Sequence, residues 1–237
     1  MKILAIGNSF SEDATALLQL LNPALFVRNL YIGGCSLQRH CAEALADAPS
    51  YLYEENGADS LGRHVSMKEG ILKEKWDVIT VQQVSGDSGR LETYYPYLPE
   101  LISYVKKYTS AEIVFHQTWA YEQGATHPAF PHYGNDTNKM WAAVKEATDR
   151  AAQKEGLKVI PAGELIARLR KTPAFDSQNG GVNITRDGFH LSLNYGRYAA
   201  ALVWCHFFTG EIPAPLKGYD SEPFQTIYNT FCTQIKR

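Results

Sequence analysis

Short apolar runs alternate with longer stretches of helical periodicity along most of the chain. The first run, Ile3 to Ile6, stops at Gly7. A short, wholly apolar run bounded by a turn residue reads as a strand buried on both faces. Ser11-Glu12-Asp13 then precedes an apolar-periodic stretch that ends near Leu21. Polar acceptors and acids ahead of the periodic positions are a helix-start signal. The rhythm repeats. Leu25 to Ile32 predicts a strand halted by Gly33-Gly34, and Leu37 to Ala46 a helix. Asp77 to Gln82 is a β-branched strand, and Leu98 to Tyr108 a helix with Leu101, Val105 and Tyr108 on one face. Glu112 to His116 is a strand, Asp136 to Glu155 a long helix, and Leu157 to Ile160 a short strand. Leu193 to Phe208 is a final apolar helix closed by Gly210, a C-cap signal.

Strands alternating with helices predict an α/β fold, with helices on both faces of a mostly parallel sheet. The expected architecture is a flavodoxin-like three-layer α/β/α sandwich on a five-stranded sheet, one domain over residues 1–237. Residues 49–66 interrupt the rhythm as a possible hairpin excursion. Residues 117–135 and 171–189 read as long polar loops, and loops beyond about 12–15 residues in a compact domain are usually functional or disordered. Both fall at the carboxyl edge of the strands, as do the Gly7 and Gly33 turns, and open α/β sheets bind ligands at that edge.

Composition narrows the function. The chain has 237 residues, 45% of them hydrophobic and 20% charged, and carries a net charge of −2. That balance argues against a nucleic-acid or anionic-membrane partner. Four scattered cysteines make no disulfide framework, and no CxxC pair suggests structural zinc. No apolar run reaches the ~18 residues of a membrane span. The polar start at Lys2 is unlike a signal peptide, so the chain as given reads as cytoplasmic; a leader removed beforehand would make it secreted or periplasmic. Neither a P-loop nor a GxGxxG follows a strand, so no nucleotide cofactor is expected.

Two short blocks carry candidate chemistry. Gly7-Asn8-Ser9-Phe10-Ser11 follows the first strand and precedes a helix. A serine there exposes its hydroxyl at a sharp turn, with backbone N–H groups pointing the same way. The plainer reading is a glycine turn with a serine N-cap. Asp187-Gly188-Phe189-His190 lies near the other end. A carboxylate three residues before a histidine can orient the imidazole, leaving the far nitrogen to take a serine proton. Here the plainer reading is a surface loop with a cap at Ser192. His116 and Trp119, ending the fourth strand, either line a substrate pocket or serve the loop internally. The aromatic residues Trp119, Tyr121, Phe130 and Tyr133 either stack on sugar rings or anchor residues 117–135. His127 and His132 lack a carboxylate pair and make a weak metal signal. Gly86-Asp87-Ser88-Gly89 imitates a nucleophile block but does not follow the first strand.

Taken together, the early Gly7-Asn8-Ser9 block and the late Asp187 to His190 block resemble the GDSL/SGNH hydrolase family. The resemblance extends to Gly33-Gly34-Cys35-Ser36 after the second strand and to Tyr195-Gly196-Arg197-Tyr198-Ala199-Ala200 after His190. It looks closest to a poorly characterised branch common in gut bacteria, with asparagine where the family has aspartate at position two of its Gly-Asp-Ser block. The resemblance implies Ser9 as nucleophile, His190 as base, Asp187 as its orienting acid, and the Ser9 and Gly34 N–H groups as oxyanion donors. The family's Gly-x-Asn-Asp block is replaced by Val81-Gln82-Gln83-Val84-Ser85, so the side-chain oxyanion donor is expected to be the Gln82 amide, with Gln83 second. The implied function is a serine esterase acting on small acyl esters, acetyl foremost and on carbohydrates, without metal or organic cofactor. A glycan- or small-ligand-binding protein on the same fold is the alternative, and an acyltransferase would share every catalytic residue. Residues 211–237 either cover the domain or mediate a dimer; the oligomeric state is open.

Overall fold

The computed structural model describes residues 1–55 and 58–235. The strands are β1 (Lys2–Gly7), β2 (Phe26–Tyr31), β3 (Leu52–Glu55), β4 (Ala58–Asp59), β5 (Val78–Val81), β6 (Glu112–His116) and β7 (Lys158–Ile160). The helices are α1 (Ser9–Thr15), α2 (Leu18–Leu21), α3 (Leu37–Ala46), α4 (Met67–Leu72), α5 (Tyr97–Lys106), α6 (Thr137–Glu155), α7 (Ala162–Leu169), α8 (Tyr195–Thr209) and α9 (Glu222–Ile235). The sheet runs β4-β3-β2-β1-β5-β6-β7. Strands β2, β1, β5, β6 and β7 are parallel; β3 and β4 add antiparallel at one edge. Counting only the parallel strands, the spatial order is 2-1-3-4-5, which reverses between β1 and β5. Ligands in such folds sit at the carboxyl ends of the strands beside that reversal.

Successive side chains of a strand face opposite layers. In β1, Ile3 and Ala5 enter the core built with α1, α2, α7, α8 and α9, whereas Leu4 and Ile6 enter the core built with α3, α4 and α5. Helix α6 closes the β7 side and feeds both cores, Met140 and Val144 into one, Ala147 and Ala151 into the other. Asp136 caps it by accepting from the Asn138 and Lys139 N–H groups, and Gly156 ends it at φ +67°.

The structure corrects several expectations. The sheet has seven strands rather than five, because part of the 49–66 excursion pairs with β2. These edge strands are short and acidic, so they lack the apolar runs of the parallel ones. The helix expected to run to Leu21 starts at Ser9 and breaks after Thr15. The Thr15 hydroxyl donates back to the Ser11 carbonyl and accepts from Asn29 Nδ2, a competition that bends helices. Helices α4, α7 and α9 are additional. Residues 117–135 are not a polar loop: Trp119 and Tyr121 are fully buried, and Phe130–Tyr133 forms a 3-10 turn. Helix α9 lays Phe224, Ile227 and Phe231 into the core beside α8, so this part of the C-terminal segment covers the fold.

One polar cluster joins the two ends of the chain. Asp13 of α1 is fully buried. Its Oδ1 accepts from Arg186 Nη1 at 2.9 Å and Arg197 Nε at 2.8 Å, and its Oδ2 accepts from the Leu191 N–H at 2.9 Å. Arg186 Nη1 also donates to the Leu191 carbonyl. The carboxylate thus holds α1 against the turn from Thr185 to Leu191, whose ends pair antiparallel.

Nearby, burial pushes the Glu54 carboxyl up to about 8, with Glu12 and Asp59 raising it further against the pull of Arg197. The unfolded chain ionises this group near its ordinary value of 4.5, while the folded chain holds the proton to about 8. Its contribution to stability is complete below the lower value and is lost as pH rises through the upper one. The melting temperature should therefore fall between pH 5 and pH 8.5, and Glu54→Gln should flatten that slope; an equal slope in both proteins would refute the assignment. Asp13→Asn leaves Arg186 without its counter-charge and Arg197 with only Glu12, at 3.4 Å. Breaking such a buried pair costs about 3 kcal/mol, which for a chain of this size lowers the melting temperature by roughly 6–12 °C. A thermal denaturation curve unchanged from the wild type would show the cluster to be dispensable.

Candidate active site

Strand β1 ends at Gly7, where any Cβ would come within 2.4 Å of Ser11 Oγ. Only glycine lets the strand turn this tightly into α1. Asn8 then caps α1, its Oδ1 accepting from the Phe10 N–H at 3.0 Å. The expected cap role therefore belongs to Asn8, and Ser9 is left free to face outward. Ser9 Oγ lies 2.8 Å from His190 Nε2, and His190 Nδ1 lies 2.6 Å from Asp187 Oδ2. Asp187 Oδ1 accepts from the His190 and Phe189 N–H groups at 2.8 and 3.1 Å. Burial opposes ionisation of Asp187, but the ring and backbone hydrogen bonds from His190 outweigh it and hold its pKa below the usual carboxylate value. An ionised Asp187 fixes the Nδ1–H tautomer, which turns the Nε2 lone pair toward Ser9. Residues 181 positions apart thus form one hydrogen-bonded line.

The line opens into a cavity of about 230 Å³ lined by Asn8, Ser9, Phe10, Gly34, Val84, Ser85, His127, Phe189 and His190. These come from the carboxyl ends of β1 and β5, at the reversal of strand order, and from the loops facing them. Gly34 adopts φ +60°, a conformation that disfavours any side chain. Among the described residues, the Ser9 and Gly34 N–H groups donate to no protein acceptor. A larger cleft of about 730 Å³ lies between α3 and α5, but it is lined mainly by apolar side chains with no nucleophile–base pair.

Four expected site residues lie elsewhere. Gln82 Nε2 donates to Asn8 Oδ1 at 2.7 Å, and its Oε1 accepts from His116 Nδ1 at 2.8 Å. Gln83 accepts from the Leu37 and Val84 N–H groups and donates to the Thr93 carbonyl and hydroxyl. Neither amide lines the cavity, because each is committed to neighbouring loops. His116 is buried, and burial lowers its pKa to about 3, so it stays neutral behind Gln82. Trp119 stacks on Phe10 at 4.4 Å, and its Nε1–H donates to the Phe189 carbonyl at 2.7 Å. Both residues support the wall of the cavity from behind rather than lining it.

Asn8 sits at the head of this support. Its Nδ2 donates to the Cys35 carbonyl at 3.0 Å, fixing the turn that carries Gly34. A carboxylate at position 8 would have no proton for that carbonyl. The asparagine therefore ties three loops together, those after β1, β2 and β5. Ser88 is buried and donates to the Ser85 carbonyl, so the Gly86 to Gly89 block is structural. Sequence reading missed Val84, Ser85, Phe10 and Phe189 as lining residues. It also missed Asp13, which looked like an ordinary first-turn acid.

Residues 2–218 match the family described as Domain of unknown function (DUF4886). A DUF4886 family protein from Bacteroides uniformis ATCC 8492 is 35% identical, with a TM-score of 0.89 over 100% of this chain and 95% of that one. A putative SGNH hydrolase from Slackia heliotrinireducens is 24% identical, with a TM-score of 0.61 over 88% of this chain and 98% of that one. The acetyl xylan esterase AlAXEase is 12% identical, with a TM-score of 0.57 over 86% and 98%. The last two likenesses are of fold, and the architecture is similar to that of SGNH hydrolases. No curated protein sequence matches the chain. With a family match across residues 2–218 and a relative 35% identical along all of its length, the chain belongs to the DUF4886 family.

Proposed function

We propose that the protein is a serine esterase of the SGNH type that removes small acyl groups, acetyl foremost, from carbohydrate or other small alcohols. The observation that carries this reading is the Ser9–His190–Asp187 line, at 2.8 and 2.6 Å, opening into the cavity at the switch point of the sheet. Three groups so arranged can do what each alone cannot. His190 takes the Ser9 proton at Nε2 as Ser9 Oγ attacks the ester carbonyl. Asp187 stabilises the imidazolium that forms. The Ser9 and Gly34 N–H groups face the oxyanion of the tetrahedral intermediate. As that intermediate collapses, His190 passes the proton to the leaving alcohol and Ser9 keeps the acyl group. Water, deprotonated by the same nitrogen, then releases the acid.

The acyl preference follows from space. A cavity of about 230 Å³, narrowed by Phe10 and Phe189, suits acetyl better than a long chain. Phe189 is half-buried and lines the cavity, where an aromatic ring can pack against a sugar. The name of one fold neighbour, an acetyl xylan esterase, agrees with this choice. One observation favours the ligand-binding alternative: neither glutamine amide reaches the cavity. The Ser9–His190 hydrogen bond counts against it.

Hydrolysis of p-nitrophenyl acetate separates the two readings. Ser9→Ala and His190→Ala should each lower kcat by about 10⁴-fold or more, as removal of a triad member does. Equal rates in wild type and Ser9→Ala would refute the nucleophile. Across p-nitrophenyl acetate, butyrate and octanoate, kcat/KM should fall steeply with chain length. A preference for octanoate would overturn the assignment of the cavity to the acyl group.

A further inference from the structure

The esterase reading leaves the oxyanion with two backbone donors and no side chain, because Gln82 and Gln83 are committed elsewhere. We infer that the hydroxyl of Ser85 is the third oxyanion donor, polarised through Tyr121 by His127. This inference rests on the esterase reading and deepens it.

Proton counting sets the direction. The Ala129 N–H donates to His127 Nδ1 at 3.1 Å, so that nitrogen carries a lone pair. The neutral ring then bears its proton on Nε2, and burial together with His190 lowers the His127 pKa, which favours the neutral ring. Nε2–H points to Tyr121 Oη, a long contact of 3.4 Å. Tyr121 is fully buried, which raises its pKa and keeps the phenol protonated. Among the described residues, the one acceptor in reach of the phenol proton is Ser85 Oγ, at 2.9 Å. Ser85 Oγ therefore accepts from Tyr121, and its own proton has no protein acceptor among the described residues. Ser85 lines the same cavity as Ser9 and Gly34, so that proton is available to a ligand oxygen there. Donors in a chain polarise one another, and a hydroxyl that accepts from a phenol donates more strongly.

The surroundings hold Ser85 in place. Its carbonyl accepts from Ser88 Oγ at 2.8 Å. The next residue, Gly86, lies so close to the 127–130 segment that a Cβ would meet Ala129 Cβ at 2.7 Å. Tyr133 Oη donates to the Gly86 carbonyl at 2.9 Å and accepts from the Gly89 N–H at 3.1 Å. His127 packs against Tyr121 and Phe189, with ring centroids 4.5 and 4.8 Å away. The block that imitates a nucleophile motif is thus a mount for the preceding serine.

The test compares Ser85→Ala, Ser85→Thr and Tyr121→Phe with wild type and Ser9→Ala on p-nitrophenyl acetate, reading kcat, KM and melting temperature. Loss of one oxyanion donor typically lowers kcat by about 10²-fold. Ser85→Ala should show that loss with KM within about threefold, Ser85→Thr should keep most of the rate, and Tyr121→Phe should lose an intermediate amount. If Ser85→Ala fails to fold, the Thr and Phe variants decide alone. A folded Ser85→Ala with wild-type kcat, or one impaired only in KM, overturns the proposal while Ser9→Ala still reports on the esterase reading. Wild type and Ser9→Ala equally inert would overturn both.

Discussion

The buried carboxylate of Asp13 is the constraint on which the candidate site depends. Ser9 and His190 are 181 residues apart, and a hydrogen bond between their side chains tolerates errors of only a few tenths of an ångström. Apolar packing anchors the ends of the segment bearing Asp187 and His190, through the fully buried Ile184 and Leu191, but Arg186 and Asp187 between them are exposed. Directional bonds set the rest. Asp13 receives Arg186, Arg197 and the Leu191 N–H, the Glu122 N–H donates to the Gly188 carbonyl at 2.7 Å, and Trp119 donates to the Phe189 carbonyl. Asp13 lies four residues beyond Ser9 on the same short helix. A shift of α1 therefore carries the serine and the histidine turn together.

A second polar layer serves the other side of Ser9. It runs from the Cys35 carbonyl through Asn8 and Gln82 to His116. Each amide both donates and accepts, so the direction of every bond is forced once His116 is neutral with its proton on Nδ1. The chain defines one arrangement of the three loops, at the cost of leaving His116 Nε2 buried without a partner. The arrangement commits the glutamine that the sequence offers as a catalytic donor. An amide that holds the frame has no geometry left to follow a developing charge.

Strands β1, β5, β6 and β7 were legible because burial writes most of each as a short apolar run, whereas β2, broken by Arg28 and Asn29, was legible from the Gly33-Gly34 stop and its place in the alternation with helices. The edge strands β3 and β4 were not, since a short acidic edge carries no such run. Ser9, Asp187 and His190 were legible as a resemblance in two short blocks; the residues around them do not by themselves exclude an N-cap and a surface loop. The misassigned glutamines show the limit of this reasoning. Position along the chain placed Gln82 at a strand end, which is correct, but its partners come from β6 and the first turn. Likewise Asp13 looked like a first-turn acid, because its two arginines lie more than 170 positions later. Hydrogen-bond partners that distant leave no local periodicity to read.

The carboxylates near Ser9 also explain one another. Glu12, Asp13 and Glu54 share two guanidinium groups, Arg186 and Arg197. Asp13 has the better geometry, with both oxygens in short contacts and full burial. Two cations cannot neutralise two buried acids and the half-buried Glu12 together, and an unpaired buried charge is more costly than a retained proton. The proton stays on Glu54, which has an orphaned oxygen and two acidic neighbours, while Glu12, half-paired with Arg197, is raised less. Holding that proton keeps the ground beneath α1 close to neutral. The carboxylate in direct contact with the Ser9–His190 pair is then Asp187, on the far side of His190 from Ser9, where in the proposed reaction it would favour the imidazolium without repelling an oxyanion in the cavity.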